Sequence, residues 1–244
     1  MEHPKLRDSK RLLTHEPYPL NEIPEKIIKQ IGKRLVYLLC IGRTDLTGND
    51  WGDVFAEAIG GCHLQSPLGI ADVEYKKMAW SMKTVKSTNP HREDAQVRLI
   101  SGRCSPDYSY GITDPHEEIQ KTGRAVLNIW NERVNIAYDY YNPVRNGVLV
   151  RSNDLLTYTF FEEENHRFVA NQYRWEENQN GNLIGVDVES GETRFTWQPH
   201  GSQFTIHTHV PKNAVKFKIK QPPLLDVEET LKQINYDDTW IEIL

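Results

Sequence analysis

Between Ile70 and Val85 apolar and polar residues alternate on both sides of Lys76-Lys77. That is the period of two strands joined by a tight turn, in which successive side chains change face and directly opposed residues share one. With Lys76-Lys77 as a two-residue turn, Asp72 sits opposite Ser81 and Glu74 opposite Ala79. Asp72, Glu74, Ser81 and Lys83 then project to one side, while Val73, Tyr75, Trp80 and Met82 fill the other. A face with two carboxylates, a hydroxyl and a mid-strand amine suits phosphodiester hydrolysis. Carboxylate oxygens bind Mg²⁺, the metal polarises the phosphate and lowers the pKa of a water, and a lysine orients that water or offsets developing negative charge. Lys-Lys is a poor turn where positive φ is needed, so a longer loop with a shifted register is the competing arrangement.

One acid is too few for this chemistry, so a further ligand is expected from an element packed beside the hairpin. Glu57 is the first choice, because it lies on the short helical segment Gly52 to Ile59 just before the strands. Glu74 and Glu93 compete for the role, and a plain solvated helix position is the alternative for Glu57.

A helix bearing a glutamate, a hairpin with an aspartate, and a strand carrying (Glu/Asp/Ser)-X-Lys together resemble the core of the PD-(D/E)XK nuclease superfamily, the fold of most type II restriction endonucleases. The matching residues are Glu57, Asp72 and Ser81-Met82-Lys83, within about 51 to 86. Ala71 stands where the family has proline, and Ser81 where it usually has an acid. The resemblance implies Asp72 as principal metal ligand, Lys83 as catalytic lysine, Glu57 as the relocated acid that also binds metal, and Ser81 as part of the catalytic motif. It further implies Mg²⁺ as cofactor, double-stranded DNA as substrate, and products ending in 5′-phosphate and 3′-hydroxyl. A homodimer is expected, since cutting both strands of a symmetric site matches two-fold protein symmetry.

The elements that must hold this site are a helix from about Pro24 to Leu39, with Ile27, Ile28, Ile31, Leu35, Leu38 and Leu39 at helical spacing, and a short one from Trp51 to Ile59 stopped by Gly60-Gly61. Ser87-Thr88-Asn89-Pro90 has the form of a cap opening another helix, and Asp114-Pro115-His116-Glu117 opens a long one carrying Ile119, Val126, Ile129, Trp130 and Val134. From Gly147 onward strands are expected over 148–151, 155–161, 172–175, 183–188, 193–197 and 203–209, punctuated by Asn180-Gly181, Ser190-Gly191 and His200-Gly201. Lys212 to Lys220 alternates basic and apolar residues, as a DNA-facing strand or a lysine-guarded edge strand would.

The fold class is therefore α/β with a restriction-endonuclease-like core: a central mixed sheet flanked by helices, with a β-rich C-terminal elaboration. Residues 1–244 form one nuclease domain, with 20–140 as catalytic core and 147–220 as a β-meander for DNA recognition or dimerisation. The segment Arg98 to Tyr110, expected as a surface loop, supplies phosphate donors and stacking rings in Arg98, Arg103 and Tyr108. Arg174, Gln198 and Gln203 on the meander are of the types that read guanine and adenine edges. Sheet packing by the neighbouring aromatics is the plain alternative there.

The formal net charge of −5 argues against a protein that coats nucleic acid non-specifically, but an acidic catalytic site can coexist with a local basic groove. Cys40, Cys62 and Cys104 cannot all pair within the chain and lack zinc-ligand spacing, which points to a reduced, cytoplasmic setting. Met1 to Arg11 lacks the apolar core of a signal peptide, and no stretch approaches the ~20 apolar residues of a membrane span. The expected function is Mg²⁺-dependent cleavage of double-stranded DNA, as by a type II restriction endonuclease. The rivals are a structure-specific repair or recombination nuclease and a non-enzymatic β-rich binding module in which the Asp72 face is a structural ion-pair patch.

Overall fold

A computed structural model describes residues 16–244, so the Met1 to Arg11 stretch lies outside the described residues. Helix α1 (Glu25–Cys40) follows Pro24 and buries Ile31, Leu35 and Leu39. Helix α2 (Gly48–Ile59) begins a turn earlier than its apolar spacing indicates, because Thr47 and Asp50 close a reciprocal capping box. Gly60, in the left-handed conformation at φ 71°, ends it.

Six strands form a first sheet: β1 (Cys62–Leu68), β2 (Ala71–Tyr75), β3 (Met78–Lys86), β5 (Val144–Arg151), β6 (Thr157–Glu164) and β11 (Val215–Lys218). They lie side by side in that order. Strand β3 runs parallel to β5, and every other neighbouring pair is antiparallel, so the sheet is mixed. The chain passes from β3 to β5 through β4 (Gln96–Arg103), the short helix α3 (Pro106–Tyr110) and the long helix α4 (Ile119–Tyr140). A parallel pair requires such a crossover. Every residue of β5 is buried, as befits a central strand covered on both faces.

Strand β4 leaves the first sheet and forms one edge of a second, antiparallel one with β7 (Tyr173–Glu177), β8 (Leu183–Asp187), β9 (Thr193–Gln198) and β10 (Gln203–His209), ordered β4-β10-β9-β8-β7. The three expected hairpin turns hold, with Gly181, Gly191 and Gly201 all at positive φ.

Two apolar layers result. On one face of the first sheet, α1 and α2 pack Ile31, Leu35, Trp51 and Phe55 against Val73, Trp80, Met82 and Phe160. On the other, α4 lies between the sheets, with Val126, Trp130 and Val134 meeting Ala71, Ala79 and Val144 on one side and Phe195, Trp197 and Phe204 on the other. Gly123 lets the second sheet approach, since a Cβ there would collide with the Trp175 indole. No described helix is long and apolar enough to cross a membrane, and Cys40, Cys62 and Cys104 are all free thiols.

Several expected elements are corrected. Pro90 opens no helix: its carbonyl accepts from the Thr159 hydroxyl at 2.8 Å, and the polar run Arg92-Glu93-Asp94 leads into β4. Arg98 to Tyr110 is not a loop but β4 followed by α3, capped by Ser105. Asp114 holds the His116 amide at 2.9 Å, yet residues 115–118 form a turn and the helix proper starts at Ile119. The 147–220 stretch is not one meander, because β5, β6 and β11 complete the first sheet while only β7 to β10 run as consecutive hairpins. Strand β11 pairs with β6 alone, at the edge of the first sheet.

A buried charge pair ties these strands together. Glu162 on β6 accepts from Trp80 Nε1 at 2.6 Å and from the Tyr18 hydroxyl at 3.1 Å, and faces Arg145 of β5 at 3.4 Å. Both charged side chains are almost fully enclosed, and burial raises the Glu162 pKa against the opposing pull of Arg145 and its donors. Removing one partner of such a pair strands the other. Arg145→Met is therefore expected to cost about 3–5 kcal/mol in urea denaturation, with Arg145→Met/Glu162→Gln recovering part of the loss. A cost within about 0.5 kcal/mol, the range of ordinary surface changes, would show the pair to be dispensable.

Candidate active site

The hairpin has the register that the alternating sequence predicts: Val73 faces Trp80, Glu74 faces Ala79 and Tyr75 faces Met78. Lys76 takes a φ of 56° to make the two-residue turn possible. Burial of Val73, Trp80 and Met82 under α1 and α2 fixes which face is apolar. Asp72, Ser81 and Lys83 consequently emerge together on the opposite side, where they line a cleft of about 260 Å³.

The Asp72 carboxylate is positioned by one oxygen. Its Oδ2 accepts from the Met82 amide at 2.8 Å and from the Ser81 hydroxyl at 3.2 Å. Its Oδ1 has no hydrogen-bond partner among the described residues. Lys83 is half-buried beside it. Burial pushes the Lys83 amine below the usual lysine range, the Arg133 guanidinium pushes the same way, and the Asp72 charge opposes both.

The remaining walls come from distant parts of the chain. Gly48 and Asn49, the first turn of α2, border the cleft together with His63 of β1, Ile100 to Gly102 of β4, and Arg133 of α4. Arg133 donates to the Ser101 carbonyl at 3.0 Å and to the Gly69 carbonyl at 3.3 Å, which ties β4 to the turn before β2. Gly69 and Gly102, both at positive φ, flank it, and a Cβ at either would strike α4 backbone or the guanidinium itself. His63 Nδ1 lies 2.7 Å from Asp53 Oδ1, so a carboxylate on α2 orients the imidazole. The cleft thus collects one carboxylate, two serine hydroxyls, an imidazole and two cationic side chains, next to the positive end of a helix dipole. An anion with a transferable proton nearby fits that set.

The structure does not bring the expected second acid here. Glu57 faces away on α2, where it ion-pairs with Arg34 of α1 beside Tyr37 and Asp53. Glu74 accepts from the Tyr141 hydroxyl at 2.5 Å, and Glu93 pairs with Lys216 at 3.1 Å. Asp72 is the one carboxylate among the residues lining the cleft. Among the described residues no three His, Cys, Asp or Glu side chains converge to hold a metal. A single carboxylate with an open oxygen still fits Mg²⁺, which keeps several waters and takes further oxygens from a bound phosphate. It does not fit a two-carboxylate cage.

Sequence reasoning missed Arg133 and His63. Arg133 stands beside Val134 and three residues after Trp130 on the buried face of α4, and an arginine in that stripe was the available signal. Nothing in the sequence joins His63 to Asp53, because β1 contains Pro67 and shows no clean alternation.

Of the expected DNA contacts, Arg98 and Arg103 bracket the stretch of β4 that walls the cleft, and both are exposed, as is Tyr108 on α3. Arg103, Gln203 and Gln198 form a direct cross-strand row over β4, β10 and β9. Arg174 stands on β7, the far edge of that sheet, paired with Glu176 at 3.6 Å. Directly opposite Arg98 on β10 lies His207, whose Nε2 meets the Thr196 hydroxyl at 2.9 Å and whose Nδ1 is buried without a partner among the described residues.

Compared with models of known protein families, with curated proteins and with solved structures, the chain matches none.

Two titrations follow from this geometry. Asp72→Asn removes the negative charge that supports the Lys83 ammonium, so the Lys83 pKa should fall further, whereas Arg133→Met should raise it. NMR titration of isotope-labelled lysine side chains reads both shifts, and an unmoved Lys83 in either variant would contradict the coupling. His207 is pushed down to about 4, first by burial and then by the Arg98 and Arg194 charges. The unfolded chain, with histidine near 6.5, takes up a proton between about pH 6.5 and 4 that the folded chain does not. Stability is therefore full above that window and declines as pH falls through it. His207→Gln should flatten the decline in denaturant midpoints, and an unchanged slope would remove His207 as its cause.

Proposed function

We propose that this chain is a Mg²⁺-dependent endonuclease that hydrolyses double-stranded DNA, with a restriction-endonuclease-like core and most specifically the activity of a type II restriction endonuclease. The observation that carries this is the convergence of Asp72, Ser81 and Lys83 on one face of the β2–β3 hairpin, in a cleft bordered by Arg133. The order of elements supports it: a helix, a hairpin bearing the Asp and Ser-X-Lys residues, a helical crossover, and a strand parallel to the catalytic one.

Asp72 would hold the metal through Oδ1, its Oδ2 being fixed by Ser81 and the Met82 amide. Bound Mg²⁺ would polarise the scissile phosphate and lower the pKa of water. Lys83 Nζ, its proton affinity reduced by burial, orients the attacking water and takes part in its deprotonation. The Arg133 guanidinium offsets the phosphate charge, with the first turn of α2 adding its dipole. His63, held by Asp53, is a second proton-transfer group at the same cleft. Glu57 has no part in this scheme. Arg98, Arg103 and the Gln203–Gln198 row extend from the cleft wall across the second sheet, where a duplex would be gripped and read. Two copies are required to cut both strands of a symmetric site at once.

Incubation of the purified protein with Mg²⁺ and plasmid DNA should give discrete fragments, and Asp72→Ala and Lys83→Ala should each cut at least ~10²-fold more slowly while keeping the wild-type circular dichroism. Cleavage confined to branched or mismatched DNA would replace the restriction activity by a repair one. If no DNA is cut in any form, and Asp72→Ala merely lowers stability, the cleft is structural and the proposed activity is refuted.

A further inference from the structure

After β11 the chain forms an arm, residues 221–244, that is ordered locally and is held to the other described residues by a backbone hydrogen bond from Leu225 to Cys40. Helix α5 (Val227–Gln233) is capped by Asp226, whose side chain accepts from the Glu229 amide at 2.8 Å, and buries no residue. Farther on, Asp237 accepts from the Thr239 amide at 2.8 Å, and the Tyr236 and Trp240 rings meet edge to face at 5.6 Å. Its large apolar side chains point into solvent: Val227 is 68% exposed, Ile234 52%, Trp240 60%, Ile241 65% and Ile243 95%. Monomeric proteins rarely leave such apolar surface contiguous and open. The arm is also acidic, with Asp226, Glu228, Glu229, Asp237, Asp238 and Glu242 against Lys232 alone.

The complementary surface lies on the same chain. A groove of about 380 Å³ runs between α1 and β11, walled by Ile28, Val36, Phe217 and Ile219 and rimmed by Lys29, Lys218 and Lys220. Lys218 and Lys220 have no acidic partner among the described residues. The arm does not occupy its own groove. It is pinned where the Leu225 amide donates to the Cys40 carbonyl at 2.8 Å, at the far end of α1, about 18 Å along the helix from Ile28 at 1.5 Å per residue.

We propose that the arm of each molecule docks in the α1–β11 groove of a second copy, forming a reciprocal two-fold dimer. An acidic, apolar arm meets a basic, apolar groove, and because every chain carries both, two identical docks close the pair. Edge strand β11 is covered in the process, which removes an exposed strand edge. The inference stands on the arm and the groove rather than on the cleft: a protein that still cuts DNA without this dock would overturn the dock alone, whereas a docked dimer that cuts nothing would overturn the nuclease reading alone.

The test is oligomeric state by light scattering on the full chain at micromolar concentration. Wild type should have about twice the 28.3 kDa chain mass. Trp240→Ala/Ile241→Ala and Lys218→Glu/Lys220→Glu should each be monomeric with unchanged circular dichroism, since all four side chains lie at the surface. Mixed together, the two variants should form a heterodimer, because the intact arm of the lysine variant fits the intact groove of the arm variant. A monomeric wild type overturns the proposal, as does a dimer that survives both pairs of substitutions. A dimer lost only in the arm variant places the arm on another surface and overturns the groove assignment.

Discussion

A slip of one residue between β2 and β3 would turn every side chain of the hairpin over, sending Trp80 and Met82 into the cleft and Asp72 and Lys83 into the core. What forbids it is the burial of Val73, Trp80 and Met82 beneath α1 and α2. A fully buried large apolar side chain contributes ~1.5–3 kcal/mol, and a slipped register would forfeit several at once while burying two charges. The polar face of the hairpin is in this sense a consequence of its apolar one. The Asp72 carboxylate then locks the register locally, by accepting from the Met82 amide across the strand pair.

The same apolar face is wired to the middle of the sheet. Trp80 donates to Glu162, which faces Arg145, and Arg145 sits directly opposite Trp80 in the parallel β3–β5 ladder. The hairpin is therefore held from behind by a buried polar cluster, and from the cleft side by Arg133, which clamps β4 and the Gly69 turn to α4. A site supported on both faces by regular elements keeps its groups in place better than one carried on loops. The lowered proton affinity of Lys83 is a product of that enclosure, since burial outweighs the neighbouring Asp72 charge.

The hairpin was legible in the sequence because alternation and a two-residue turn specify register without knowledge of the rest of the chain. Strand β4 carried the same signal in Val97, Leu99 and Ser101, whose alternate burial is plain in the structure, but the arginines and tyrosines around it read as a loop. Glu57 was misplaced for a local reason. It lies two residues from Phe55 and two from Ile59, both buried, and so about half a turn away from the face that meets the sheet. Arg133, His63 and the parallel pairing of β3 with β5 depend on contacts between segments far apart in the chain, which no periodicity encodes. The division of the later strands between two sheets was hidden for the same reason, as β5 pairs with β3, which precedes α4, and carries β6 and β11 into the first sheet with it.

The central claim is that this cleft directs water onto a DNA phosphate. It is tested most directly by letting the Mg²⁺-loaded protein cut duplex DNA in heavy-oxygen water and weighing the fragment ends by mass spectrometry. The predicted result is one heavy oxygen in each new 5′-phosphate and none at the 3′-hydroxyl. Label-free ends, 3′-phosphates, or a duplex left unbroken would contradict it.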